Sequence, residues 1–214
     1  MTAKVALVIG AGDALGGAIA RRFAREGFVA VGVRRQQDKL TALVEAIEAE
    51  IGQVEVCVFK IGANVRFSIS DTTARVYFKV WEMGCFAGFL TGREAARRME
   101  PRGRGTILFT GATASVRGRE GFSAFSGAKH ALRALAQSMA RELGPKGIHV
   151  AHTLIDGPID TQWIAENFPE SYARKAQDGI LDPDHIADNY WHLHSQPRDS
   201  WTHELDLRPW SESW

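Results

Sequence analysis

Only two cysteines, Cys57 and Cys85, occur among the 214 residues. Both sit in apolar surroundings without metal-ligand spacing, which excludes a disulfide framework and a thiolate zinc site. They read as small buried hydrophobes of a reducing compartment. Basic runs are equally scarce: none exceeds a pair, as at Arg34-Arg35 and Arg97-Arg98, and 26 basic residues against 25 acidic ones leave a formal charge of +1. That balance argues against a nucleic-acid partner. Long apolar runs are missing too. After Met-Thr-Ala-Lys the chain enters the short apolar stretch Val5-Ala6-Leu7-Val8-Ile9, too brief for a signal sequence or a membrane span. A cytoplasmic location away from membranes is therefore expected. The histidines are scattered, and neither His149 with His152 nor His192 with His194 presents a shared ligand face, so structural roles and no metal are expected.

What is present is an ordinary globular composition, 45% hydrophobic and 24% charged, long enough for one sizeable core. A single domain over residues 1–214 is the expectation. Strand-like segments at 5–9, 28–33, 54–59, 106–110, 149–154 and 204–207 alternate with helical ones at 14–26, 38–50, 72–99, 123–143 and 183–194. This alternation predicts an α/β fold whose parallel sheet is covered on both faces. Gly27 and Gly144-Pro145 stop helices, and Asp182-Pro183 starts one. Residues 158–181, with Trp163, Phe168 and Tyr172, show no clear period and are expected to form a mobile lid.

The first chemical motif, Gly10-Ala11-Gly12-Asp13-Ala14-Leu15-Gly16-Gly17, lies between an apolar strand and an amphipathic helix. Glycines there let the backbone turn tightly and approach a pyrophosphate, while the uncapped N–H groups of the helix neutralise its charge. Dinucleotide binding follows as the expectation.

This segment resembles the TGxxxGxG motif of the short-chain dehydrogenase/reductase family, with Ile9 for the threonine and Ala14 for the middle glycine. Phe59-Lys60-Ile61-Gly62 resembles the family's NNAG, and Phe125 to Lys129 its YxxxK. Asp156-Gly157-Pro158-Ile159-Asp160-Thr161 resembles the PG…T segment that holds the nicotinamide carboxamide. The resemblance spans nearly the whole chain. It implies a Rossmann-like, doubly wound, three-layer αβα domain that binds its cofactor through Gly10, Gly12, Asp13, Ala14, Leu15, Gly16, Gly62, Lys129, Gly157, Ile159 and Thr161. It also implies a homodimer or homotetramer, with Ser126, Gly127, Ala131 and Ala134 allowing close helix packing between subunits.

One unit of that fold does not fit. Only residues 36–53 lie between Arg35 and Val54, room for one helix, whereas a strand-helix-strand unit takes roughly 30 residues. Either the third strand and its following helix are absent, or the sequence omits a segment near 47–52. In the first case the helix must cross on the face opposite its predecessor to keep a right-handed connection.

At the end of the second strand, Arg34 and Arg35 offer cations suited to the 2′-phosphate of NADP, where a carboxylate would favour NAD. Asp13 in the glycine-rich turn argues the other way, so NAD stays open. The catalytic positions implied by the resemblance depart from the family. Phe125 stands at the tyrosine position, Ala112 at the serine position with Thr113 a nearby hydroxyl, and Trp81 or Cys85 at the asparagine position; Lys129 alone is retained. No tyrosine lies between Tyr77 and Tyr172, and no asparagine between Asn64 and Asn167. Two readings follow. One is an oxidoreductase moving a hydride between nicotinamide and a carbonyl, alcohol or conjugated alkene, its proton coming from Lys129, Thr113 or water. The other is a catalytically inactive NAD(P)-binding pseudoenzyme.

Overall fold

The computed structural model describes residues 3–33 and 40–213. Six parallel strands, β1 (Ala3–Ile9), β2 (Val29–Val33), β3 (Gly52–Phe59), β4 (Gly105–Thr110), β5 (Ile148–Ile155) and β6 (Glu204–Leu207), form one sheet in the order β2-β1-β3-β4-β5-β6. Every residue of β5 is buried, as a strand covered on both faces must be. Alternation divides β1 cleanly: Val5, Leu7 and Ile9 face one core, Ala6 and Val8 the other.

The first core is closed by α2 (Leu40–Glu50), α4 (Ala87–Met99) and α5 (Ser123–Leu143); the second by α1 (Leu15–Arg25) and α8 (Pro183–Ser195). The three-layer αβα arrangement is thereby established. No strand intervenes between α2 and β3, and among the described residues one helix lies between β2 and β3, so the chain passes β1 to reach β3. Helix α2 lies on the face opposite α1, as reversing direction across the sheet demands of a right-handed crossover. The expected start of this helix at residue 38 falls outside the described residues.

The helix expected over 72–99 is α3 (Ala74–Trp81), a wider π segment (Glu82–Phe86) and α4. Thr73 starts it, its hydroxyl accepting the Val76 N–H at 3.2 Å. At the π segment Gly84 passes α5 so closely that a Cβ would lie 3.0 Å from the Ala128 Cβ. At Gly127 in α5 a Cβ would meet the Tyr77 hydroxyl at 2.7 Å, so the missing side chain serves packing within the chain. Residues 158–181 hold two short helices, α6 (Gln162–Asn167) and α7 (Pro169–Ala173), and one bridge from Ile159 to Leu181. Both cysteines are buried and free. His149 stacks on Trp201 at 4.8 Å and bonds the Thr202 carbonyl at 2.8 Å, a structural role.

Candidate active site

A cleft of about 470 Å³ opens at the carboxyl ends of the strands, where the sheet order reverses direction between β1 and β3. Open α/β sheets bind ligands at such switch points.

The turn from β1 to α1 forms one edge. Gly10 has φ of +93°, and a Cβ there would lie 1.9 Å from the Lys60 carbonyl oxygen, so only glycine fits. Gly12 differs: a Cβ would meet nothing within 4 Å, leaving open space beside the first turn of α1. Ala14 at the helix start provides no side-chain cap, and the Gly17 N–H turns back to the Gly12 carbonyl at 2.7 Å. Bare glycine backbone beside an uncapped helix N-terminus fits a pyrophosphate. Asp13, Ala14 and Gly16 lie in this turn, and Leu15 lines the cleft.

Lys129, Phe125, Ala112 and Thr113 all line the cleft. Lys129 is 3% exposed, and its Nζ donates to the carbonyls of Thr110 at 2.9 Å and Ile61 at 3.0 Å. Burial lowers its pKa to about 7, aided by the charge of Lys60 and opposed by Cys85. Its Nζ lies 5.9 Å from the Phe125 ring centroid. Cys85, in the π segment, does not line the cleft; burial raises its pKa while the Lys129 charge lowers it. Trp81 ends α3 and does not line the cleft either. Thr113 donates its hydroxyl proton to Asp156 Oδ1. Asp156 is buried and also has Arg208 at 3.5 Å and Arg117 at 4.0 Å.

Gly62, Gly157 and Ile159 line the cleft, whereas the Thr161 hydroxyl caps α6 by accepting the Ile164 N–H at 3.1 Å. Arg34 and Arg35 lie outside the described residues. No tyrosine lines the cleft; Tyr190 is sealed behind β4, bonded to Thr110 Oγ1 at 2.7 Å, with burial pushing its pKa to about 12. Sequence reasoning assigned no individual role to Lys60, Asp156, Arg117 or Arg119 and gave Ser126 only a part in packing between subunits, yet all five line the cleft. Lys60 had a signal: a cation directly after the apolar run of a parallel strand stands at the crevice.

A family model described as enoyl-(acyl carrier protein) reductase matches residues 18–200. A short-chain dehydrogenase/reductase of Armillaria gallica is 30% identical over 188 residues, covering 74% of this chain and 72% of that one. Dehydrogenase/reductase SDR family member 4 of Homo sapiens is 29% identical over 188 residues, 75% of this chain and 67% of that one. The crystal structure of a short-chain dehydrogenase from Rhodopseudomonas palustris superposes with a TM-score of 0.80 at 42% identity, covering 97% of this chain and 99% of that one. The chain belongs to the short-chain dehydrogenase/reductase family of oxidoreductases. Membership implies a nicotinamide dinucleotide, NAD or NADP, and a small-molecule substrate.

Proposed function

We propose that this chain is an NADP-dependent oxidoreductase acting on a carbonyl/alcohol pair or a conjugated alkene, with Lys129 handling the proton that the family's tyrosine would handle. The observation that carries this reading is the Lys129 amine, held by two carbonyls on the wall of the same cleft as Phe125. Phe125 has no proton to give, and Lys129 does.

The glycine-rich turn, from Gly10 to Gly16, holds the dinucleotide through backbone N–H groups, with Gly62, Gly157 and Ile159 along the remaining wall and Arg34 and Arg35 on a 2′-phosphate. When bound, the nicotinamide supplies or accepts the hydride. Two of the Lys129 N–H groups are fixed by carbonyls, which leaves one donor for the substrate oxygen. A pKa near 7 lets that donor release and recover its proton at neutral pH. Thr113 is a poor proton donor by comparison, because its hydroxyl proton is committed to Asp156 and its oxygen can only accept. Phe122 and Phe125 form an apolar wall that keeps water from the reacting centre. Ala112 stands where a polarising hydroxyl would be, and Cys85 where the family's asparagine would be. Residues 158–181 serve as the lid of a single domain, in a cytoplasmic homodimer or homotetramer.

NADPH oxidation across a panel of ketones, quinones and conjugated alkenes tests the reading; turnover with at least one class is expected. Phe125 favours a second reading, a nucleotide-binding pseudoenzyme. Stoichiometric NADPH binding with no oxidation across the panel would establish that one instead.

A further inference from the structure

The cleft carries more positive charge than its own carboxylates match. Lys60, Lys129, Arg117 and Arg119 line it against Asp156 and Glu212. Each carboxylate has an arginine from outside the lining: Arg208 at 3.5 Å from Asp156, and Arg174 at 3.4 Å from Glu212. Arg117 reaches Asp156 only at 4.0 Å. Arg119 is exposed, and among the described residues neither it nor Lys60 forms an ion pair. Two amines, Lys60 and Lys129, therefore share one concavity, and among the described residues neither pairs with a carboxylate. Such a field inside a low-dielectric cleft attracts anions.

We propose that the cleft recognises a substrate bearing an oxyanion, a carboxylate or a phosphate, close to its reacting carbonyl, with Arg117 and Arg119 as the contacts. This deepens the oxidoreductase reading and rests on it for the nature of the reaction. The coenzyme's pyrophosphate does not exhaust these charges. Its cradle is the β1–α1 turn, whereas Arg117 and Arg119 belong to the connection from β4 to α5, on the substrate wall with Ala112 and Thr113. Lys60 stands at the end of β3 and adds to the field from the other wall. Ser126, 7% exposed, lines the same cleft, its hydroxyl buried and without a partner among the described residues. A volume of about 470 Å³ suits a small molecule.

The test is calorimetric binding to protein saturated with NADP+, which cannot reduce the probes. Acetoacetate is compared with methyl acetoacetate, and dihydroxyacetone phosphate with dihydroxyacetone. At least one anion should bind about tenfold or more tighter than its neutral twin, and added salt should shrink the gap. The pair showing the larger gap identifies carboxylate or phosphate. The variant carrying Arg117→Gln and Arg119→Gln, both at exposed positions, should lose the preference while keeping the parent melting profile. Neutral twins binding as well as the anions, no binding of either anion, or an undiminished preference in the variant would each overturn the proposal. Because binding is read without turnover, a protein that prefers the anions yet never oxidises NADPH would sink the oxidoreductase reading and leave this one standing.

Discussion

The Lys129 amine lies 5.9 Å from the centre of the Phe125 ring, one helical turn away on the same wall of the cleft. A cation that would depress a phenol's pKa is thus in place with no phenol to act on. Restoring one hydroxyl is a small steric change, because phenylalanine and tyrosine differ by that group alone. Phe125→Tyr with Ala112→Ser should raise ketone reduction by about 10²- to 10⁴-fold, with little change in NADPH affinity. Steady-state rates and calorimetric affinities for parent and double variant decide it; a slower double variant from a fully active parent would mean that Phe125 serves a different mechanism.

Lys129 also makes stability depend on pH. Its pKa falls from 10.5 in the unfolded chain to about 7 when folded, so between those values the unfolded state binds more protons. Stability from this residue therefore rises with pH from about 7 to 10.5, by at most about 1.4 kcal/mol per pH unit. Lys129→Met should be the more stable protein at pH 7 and should lack that slope. Urea titrations at pH 7 and pH 9 read both effects, and parallel slopes for parent and variant would remove the buried ammonium from the explanation.

The glycine-rich turn separates folding from binding. Gly12→Val should leave the melting temperature nearly unchanged, because its Cβ meets nothing within 4 Å, yet abolish dinucleotide binding. Gly16→Val should fail differently, since a Cβ there would lie 2.7 Å from the Ala11 Cα and 2.9 Å from the Gly10 carbonyl oxygen. Thermal melts and NADPH titrations should divide the two variants; NADPH binding by Gly12→Val at parent affinity would place the nucleotide elsewhere.

The proposed NADP dependence assigns the cofactor preference to Arg34 and Arg35. NADPH should bind tighter than NADH, and replacing both arginines by alanine should remove most of a difference of roughly 1.5 to 3 kcal/mol. Equal affinities in the parent, measured by calorimetry, would turn attention to Asp13.

Much of the fold was legible because it is written locally. Apolar runs of strand length, helical periodicity and the glycine turn at Gly10 each depend on neighbouring residues, and all six expected strands overlap those observed. The short spacing between Arg35 and Val54 likewise leaves room for one helix alone, and among the described residues one helix lies between β2 and β3. The π segment was not legible, since it accompanies the approach of Gly84 to Ala128 on another helix. Helices α6 and α7 are too short to show a period. At the site, glycines and Lys129 could be placed by motif, but the commitment of Thr113 to Asp156 joins residues 43 positions apart. The convergence of Lys60 with Arg117 and Arg119 likewise arises only when β3 and the β4–α5 connection meet at one crevice.

The most direct measurement is the pH profile of carbonyl reduction at saturating NADPH in parent and Lys129→Met proteins. A protonated Lys129 as donor predicts that kcat/KM falls as pH rises through about 7, toward tenfold per unit. Lys129→Met should lose about 10²- to 10⁴-fold in kcat and show no such inflection. A parent rate that stays flat from pH 6 to pH 9, or a Lys129→Met variant that keeps the parent kcat, would contradict Lys129 as the proton donor.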